Sequence, residues 1–123
     1  MNAISLAQKA YSSTSAPTRT ARSVEYEAVA RITSQIRLAQ QDGEKGFPAL
    51  VEALHMNRRL WTIFATEVAD ANNPLPATLK ADLFSLADFT RRHTSKVLAR
   101  TASVEPLLEV NASILRGLRG GAD

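Results

Sequence analysis

The sequence predicts an all-α fold, a small helical bundle of four main helices preceded by a short N-terminal helix. Two observations support this prediction. Apolar residues recur every three to four positions through long segments, and no segment shows a convincing alternation of period two. Glycine and proline, five of each, are sparse and divide the chain mostly between these segments. A chain of 123 residues is also long enough for one domain with its own core.

The N-terminal part differs in character from the rest of the chain. Residues 3–11 predict a short helix, and residues 12–22 form a polar connector rich in serine and threonine. We therefore expect residues 1–22 to be a separable arm and residues 23–120 to be the bundle domain.

The first main helix is expected to start at Ser23, a residue type that caps helix N-termini. Glu25 and Glu27 should lie mostly off its apolar face. It should end at Gly43 and Gly46, since glycine readily adopts the positive φ of helix ends and turns. The predicted apolar stripe comprises Tyr26, Val29, Ile32, Ile36 and Ala39.

Three further helices follow, each with a proline near its start, at Pro48, Pro76 and Pro106. Ser103 precedes the last of these prolines and marks the start of that helix. The stripe of the second main helix is Phe47, Leu50, Val51, Leu54, Trp61, Phe64 and Val68. The stripe of the third is Leu79, Leu83, Leu86, Thr90, His93 and Val97, and that of the fourth is Leu107, Val110, Asn111, Ile114 and Leu118. We expect one shared core that includes Leu54, Trp61, Phe64, Leu83, Leu86 and Ile114.

Composition argues against several classes of protein. With no cysteine, the chain has no disulfide framework, Cys-containing zinc site or cysteine nucleophile. His55 and His93 lack metal-ligand spacing, and no glycine-rich phosphate loop occurs, so we expect no metal, no cofactor and no enzymatic activity. Glu105 and Glu109 could act as general acid and base, but carboxylates at this spacing are usually a solvated helix face.

The sequence has no apolar run of about 20 residues and no secretory signal, so we expect a cytoplasmic protein without membrane contact. The net charge of +3 is modest. Its one basic stretch contains Arg91, Arg92, Lys96 and Arg100, and no acidic residue follows before Val104. This stretch is either a solvated helix face or a contact for RNA or an acidic partner; it lacks the interleaved aromatic residues that stack on single strands.

Polar residues on apolar stripes need partners, because an unpaired buried amide costs about 1–3 kcal/mol. Asn57 and Asn111 are expected to hydrogen-bond to helix ends or to each other's surroundings, with direct ligand binding as the alternative. His93 should be a half-buried core residue with a hydrogen-bond partner, and a pH-responsive contact is the alternative. Trp61 and Phe64 are either core or an aromatic anchor for a partner.

Three strings of the sequence resemble the FlaF family of flagellar biosynthesis regulators. They are ALHMNRRLWTIFATEVAD at 53–70, NPLPATLKADLFSLADFTRRHTSKVL at 73–98 and VEPLLEVNASILRGLRG at 104–120. The most specific parts are Asn57 to Trp61, Leu75-Pro76, and the Asn-x-x-Ile-x-x-Gly-Leu pattern that runs from Asn111 to Leu118.

The resemblance implies a small cytoplasmic protein that supports flagellin production and secretion, alongside the regulator FlbT. Its expected partner is flagellin, whose terminal helices are amphipathic and unpaired before export. The alternatives are a regulator that binds flagellin mRNA and an adaptor that acts through FlbT. Candidate partner-binding residues are Asn57, Arg58, Trp61, Phe64, Arg91, Asn111 and Ile114. Candidates for the RNA alternative are Arg58, Arg59, Arg91, Arg92, Lys96 and Arg100.

Overall fold

The computed structural model describes residues 21–121, and the side chains of residues 25–117. This part of the chain contains four helices and no strand, which confirms the predicted all-α bundle. The short helix expected over residues 3–11 lies outside the described residues. The helices are α1 (Ala21–Gln41), α2 (Phe47–Val68), α3 (Ala77–Leu98) and α4 (Glu105–Gly121), and a short 3-10 helix, Gly43–Gly46, joins α1 to α2.

The four helices pack side by side in chain order. Helix α1 packs along both α2 and α4, and α3 packs along the other side of α2. Helices α3 and α4 contact each other much less extensively. Short connections make successive helices antiparallel, as in an up-down bundle. Across residues 21–121, none of the helices combines the length and the apolarity that crossing a membrane requires.

One apolar core lies between the helices. Leu54, Trp61, Phe64 and Leu83 are buried in it, as predicted. Leu86 and Ile114 are half-buried and pack against it. The rings of Trp61 and Phe64 meet edge to face, with centroids 5.0 Å apart. The other buried apolar side chains of this cluster are Val29, Ile32, Ile36, Ala53, Leu60, Val68, Ala87, Val97, Val104, Leu107 and Leu108.

Several side chains depart from the predicted pattern. Val51 and Leu79 belong to apolar stripes but are exposed. Periodicity reports the direction of a side chain around the helix axis, not whether a neighbouring helix covers it at that level. Glu25 was expected off the stripe but is buried. Helix α1 already includes Ala21, so Ser23 lies inside it rather than at its start. Glu25 is buried because it lies four residues before Val29 and therefore on the same face.

The two glycines between α1 and α2 have different roles. Gly43 has a φ of 63°, as predicted for a glycine at a helix end. The same prediction for Gly46 is wrong, because its φ is −86°. A side chain at Gly46 would collide with the carbonyl oxygen of Ala39 and lie 2.7 Å from the Cβ of Asp42. Gly46 therefore permits close packing of the turn against the end of α1.

The end of α3 and the start of α4 are held by local hydrogen bonds. The hydroxyl oxygen of Ser103 accepts a hydrogen bond from the N–H of Glu105 at 3.0 Å, which confirms Ser103 as the marker of the last helix. At the end of α3, the N–H of Thr101 donates to the carbonyl of Lys96, and the N–H of Arg100 donates to that of Val97, both at 2.9 Å. This is the Schellman arrangement, here with an arginine at the left-handed position.

Candidate partner-binding groove

An open groove of about 210 Å³ runs between α2 and α3. Its α2 wall includes Arg58, Trp61 and Ala65, and its α3 wall includes Phe84, Ala87, Thr90 and Arg91. Both walls come from the faces that the two helices turn toward each other. We call this feature the α2–α3 groove.

Phe84 is the most exposed aromatic side chain of the groove, at 53%. The sequence pattern does not indicate Phe84, because this residue lies outside the apolar stripe of its helix. Its position on an otherwise polar face was the available signal, since exposed large apolar residues that cluster with others mark interaction sites. Trp61, by contrast, is almost completely buried and forms part of the groove wall.

Arg58 links the two walls. Its Nη2 donates a hydrogen bond to the carbonyl oxygen of Arg91 at 3.1 Å and another to the hydroxyl oxygen of Ser95 at 2.8 Å. The guanidinium group of Arg58 thus extends from α2 to α3. Both acceptors are neutral, and no carboxylate in the described part of the chain forms an ion pair with Arg58.

The candidate partner-binding residues separate into two groups. Arg58, Trp61 and Arg91 line the α2–α3 groove. Asn57, Phe64 and Asn111 are buried in the core, and Ile114 is half-buried against it. The structure therefore brings three of the seven candidates together at one surface.

The two buried asparagines belong to one hydrogen-bond network. The Asn111 amide nitrogen donates to the side-chain oxygen of Asn57 at 2.8 Å and to the hydroxyl of Thr33 at 3.0 Å. The Asn111 side-chain oxygen accepts from Trp61 Nε1 at 2.9 Å. The expectation of buried, hydrogen-bonded amides is confirmed. Their partners are core side chains from α1, α2 and α4 rather than helix ends.

The basic stretch of α3 is largely engaged by acidic residues. Asp88 accepts from Arg91 at 2.8 Å and from Arg92 at 3.0 Å. The hydrogen bond from Arg91 is the main reason why the pKa of Asp88 is lowered, and the nearby positive charges also contribute. Asp88 precedes the stretch by one helical turn and so lies outside the run that is free of acidic residues, although it is close enough on the helix to pair with Arg91 and Arg92.

Arg100 makes two contacts with the region that joins α1 to α2. Its guanidinium carbon lies 4.0 Å from the centre of the Phe47 ring, and its Nη1 forms an ion pair with Glu44 at 3.2 Å. Among the residues that the structure describes, Arg59 and Lys96 are the two RNA candidates for which no side-chain partner is seen.

His93 occupies the half-buried position expected for it. Its Nε2 lies 2.7 Å from the carbonyl oxygen of Ser103, and its ring stacks on Phe89 with centroids 5.2 Å apart. Since a carbonyl only accepts, Nε2 donates this hydrogen bond. The contact ties α3 to the start of α4.

The glutamate pair, potential metal ligands and a second groove complete the description of the surface. Glu105 and Glu109 are both exposed, and Glu105 accepts a hydrogen bond from the side chain of Gln40 at 2.8 Å. Within residues 21–121, no group of three potential ligands is placed to hold a metal ion. A second, wider groove between α1 and α2 is lined by the exposed apolar residues Leu38 and Met56.

Comparison with known proteins gives one match. A family model described as flagellar protein FlaF matches residues 7–118, which is nearly the whole chain. Comparisons with curated proteins and with solved structures give no significant match. The extent of the family match, together with the helical bundle, confirms the resemblance seen in the sequence, and the chain therefore belongs to the FlaF family of flagellar proteins.

Proposed function

We propose that this protein is a cytoplasmic, non-enzymatic adaptor that holds a terminal helix of flagellin in the α2–α3 groove. By covering the apolar face of that helix, it would support flagellin synthesis, export and filament assembly. The observation that carries the proposal is the groove itself, in which the exposed ring of Phe84 lies beside Trp61, Ala65 and Ala87.

The shape and chemistry of the groove suit an amphipathic helix. Such helices bind by placing apolar side chains, spaced three or four residues apart, into a groove between two helices. Phe84 and Ala65 offer apolar surface, and Arg58 and Arg91 offer polar contacts at the same groove. A flagellin helix that is unpaired before export has an apolar face of this kind to cover.

The distribution of charge favours a protein partner over RNA. Three of the six arginines and lysines considered for RNA binding, namely Arg91, Arg92 and Arg100, already pair with Asp88 or Glu44. Binding to phosphates would have to compete with these pairs or leave the carboxylates close to the phosphates. The remaining unpaired charge is small for a nucleic-acid surface.

A matched pair of apolar truncations tests the groove. Phe84→Ala removes the exposed ring at the α2–α3 groove, whereas Met56→Ala removes a side chain of comparable exposure, 42%, from the other groove. We expect Phe84→Ala to weaken binding of monomeric flagellin by at least about tenfold, or about 1.4 kcal/mol, as for an interface anchor. Met56→Ala should change the Kd less than about twofold. Equal effects of the two variants, measured by calorimetry, would contradict the assignment of the groove.

Salt dependence separates the protein partner from RNA. Flagellin binding through apolar burial should change less than about threefold between about 50 and 200 mM salt, whereas RNA binding falls log-linearly with salt. The double variant Arg92→Glu with Lys96→Glu lies outside the groove and should retain flagellin affinity. Tight RNA binding that is steeply salt-dependent and abolished by this variant would establish the mRNA regulator instead. Binding to FlbT without binding to flagellin would establish the adaptor that acts through FlbT.

A further inference from the structure

The walls of the α2–α3 groove contain two buried hydrogen-bond donors without partners. Thr90 is 1% exposed, and its hydroxyl makes no hydrogen bond. The Nε of Arg58, in the opposite wall, is also buried and makes none. Because buried polar groups are nearly always hydrogen-bonded in native proteins, two orphaned donors in one groove require an explanation.

Thr94 shows that the lack of a partner at Thr90 is not a general property of this face of α3. Thr94 lies one turn further along the same helix and is also fully buried. Its hydroxyl donates to the carbonyl oxygen of Thr90 at 2.6 Å, which is the usual solution for threonine inside a helix. Thr90 lines the groove, and its hydroxyl does not donate to the carbonyl oxygen one turn earlier. Thr94 does not line the groove.

We propose that the docked flagellin helix inserts a carboxylate, from Asp or Glu, that accepts hydrogen bonds from Arg58 Nε and the Thr90 hydroxyl. This inference rests on the proposed function, since it concerns the same groove. A carboxylate fits better than an amide because Arg58 carries a positive charge that no acidic side chain of residues 25–117 neutralises. Asp88 also lines the groove, but its carboxylate is already paired with Arg91 and Arg92.

The partner of this adaptor is then an amphipathic helix that also carries an acidic residue at one defined position. Apolar side chains of the client would contact Phe84 and Ala65, and one acidic side chain would reach between the helices to Arg58. Because Nη2 already donates to the Arg91 carbonyl and the Ser95 hydroxyl, the carboxylate would accept from Nε, and hydrogen bonds between charged groups are the strong ones. A client helix with the same apolar face but no acid at that position would bind less tightly.

Two substitutions of the same kind, one turn apart, test the role of Thr90. Thr90→Val replaces an unpaired hydroxyl with a methyl group of similar size, so the thermal midpoint should stay the same or rise. Its affinity for flagellin should nevertheless fall about tenfold. Thr94→Val removes a hydroxyl that is hydrogen-bonded, so the thermal midpoint should fall while the affinity stays within about twofold of the original. An unchanged affinity of Thr90→Val would overturn the inference.

A double-mutant cycle identifies the carboxylate. Each Asp and Glu of the flagellin terminal helices is changed to the corresponding amide, and each variant is measured against the original protein and against Arg58→Gln. At one acidic position of flagellin, the change to the amide should weaken binding to the original protein by about tenfold or more. The same change should weaken binding to Arg58→Gln much less. Additive effects at every position would overturn the proposal.

If Phe84→Ala leaves the affinity unchanged, the groove itself is not the binding site and the proposed function fails as well. If Phe84→Ala weakens binding but Thr90→Val does not, the inference alone fails.

Discussion

At the scale of single residues, the core of this protein is organised around a polar contact rather than a purely apolar one. Asn111 on α4 accepts from Trp61 and donates to Asn57, both on α2, and also donates to Thr33 on α1. The backbones of α2 and α4 do not approach each other as closely as those of neighbouring helices, so these side chains connect them across the centre of the bundle. Such a network tolerates only one relative register of the three helices, because a shift would leave buried groups unpaired.

The two asparagines should therefore contribute unequally to stability. Asn111 takes part in three side-chain hydrogen bonds, whereas Asn57 takes part in one and its amide nitrogen has no partner. We expect Asn111→Ala to lower the free energy of unfolding by about 3 kcal/mol and Asn57→Ala by about 1 kcal/mol. Chemical denaturation of the two variants measures the difference. If either variant keeps full stability but no longer binds flagellin, that asparagine belongs to the interface.

Trp61 has two roles that a single substitution can reveal. It is buried in the core, and its indole N–H satisfies the Asn111 oxygen. Trp61→Ala should lower the free energy of unfolding by about 3–5 kcal/mol, through lost burial and the cavity left behind. Thermal melts with an unchanged midpoint would contradict its role in the core.

At the scale of structural elements, the turn between α1 and α2 is constrained by its two glycines and by contacts from Arg100. The connection is a single short 3-10 helix, Gly43–Gly46. Gly43 supplies the positive φ, and Gly46 leaves the space that a side chain would fill. Arg100 reinforces the turn from α3, through Phe47 and Glu44, and does so from a left-handed backbone conformation that costs about 1–2 kcal/mol for a non-glycine residue.

Substitution of each glycine of this turn by alanine separates the cost of a positive φ from the cost of a steric collision. Gly43→Ala meets open space and should cost only the backbone penalty of a positive φ, about 1–2 kcal/mol. Gly46→Ala must push its new Cβ against the backbone of Ala39, so it should cost more, although its φ is ordinary. Denaturation midpoints give the order of the two effects. A larger loss for Gly43→Ala would show that the turn rearranges to make room at position 46.

At the scale of the whole molecule, the contacts between neighbouring helices differ in extent. Helix α2 packs along both α1 and α3, and α4 packs along α1, but α3 and α4 contact each other much less. The link between α3 and α4 comes partly from His93 to Ser103. The structure nevertheless has a continuous core within the described residues, which explains how residues 21–121 can form one unit.

Removal of residues 1–20 tests the predicted independence of the bundle. The first 22 residues include a serine- and threonine-rich connector, and a helix as short as residues 3–11 is marginal by itself. A chain that starts at Ala21 should keep its helical circular dichroism and a cooperative melt. Flagellin affinity should fall if Ile4, Leu6 and Tyr11, the large apolar side chains of the predicted short helix, contact the client. An insoluble truncated protein would show that the N-terminal residues contribute to the core.

Much of the fold followed from the sequence because helical periodicity and the positions of prolines and glycines are local signals. They predicted the four helices and the burial of Leu54, Trp61, Phe64 and Leu83. They also indicated that Asn57 and Asn111 need partners. The family followed from the sequence too, since specific strings such as the one from Asn111 to Leu118 need no structure to be recognised.

Only the tertiary structure decided which side chains meet. The pairing of Asn57 with Asn111 joins residues far apart in sequence, and no spacing rule predicts it. The exposure of Phe84, the reach of Arg58 across to α3 and the unpaired hydroxyl of Thr90 depend on where α3 lies against α2. A periodic pattern states which face of a helix is apolar, but the partner of that face and the groove beside it arise from packing between helices.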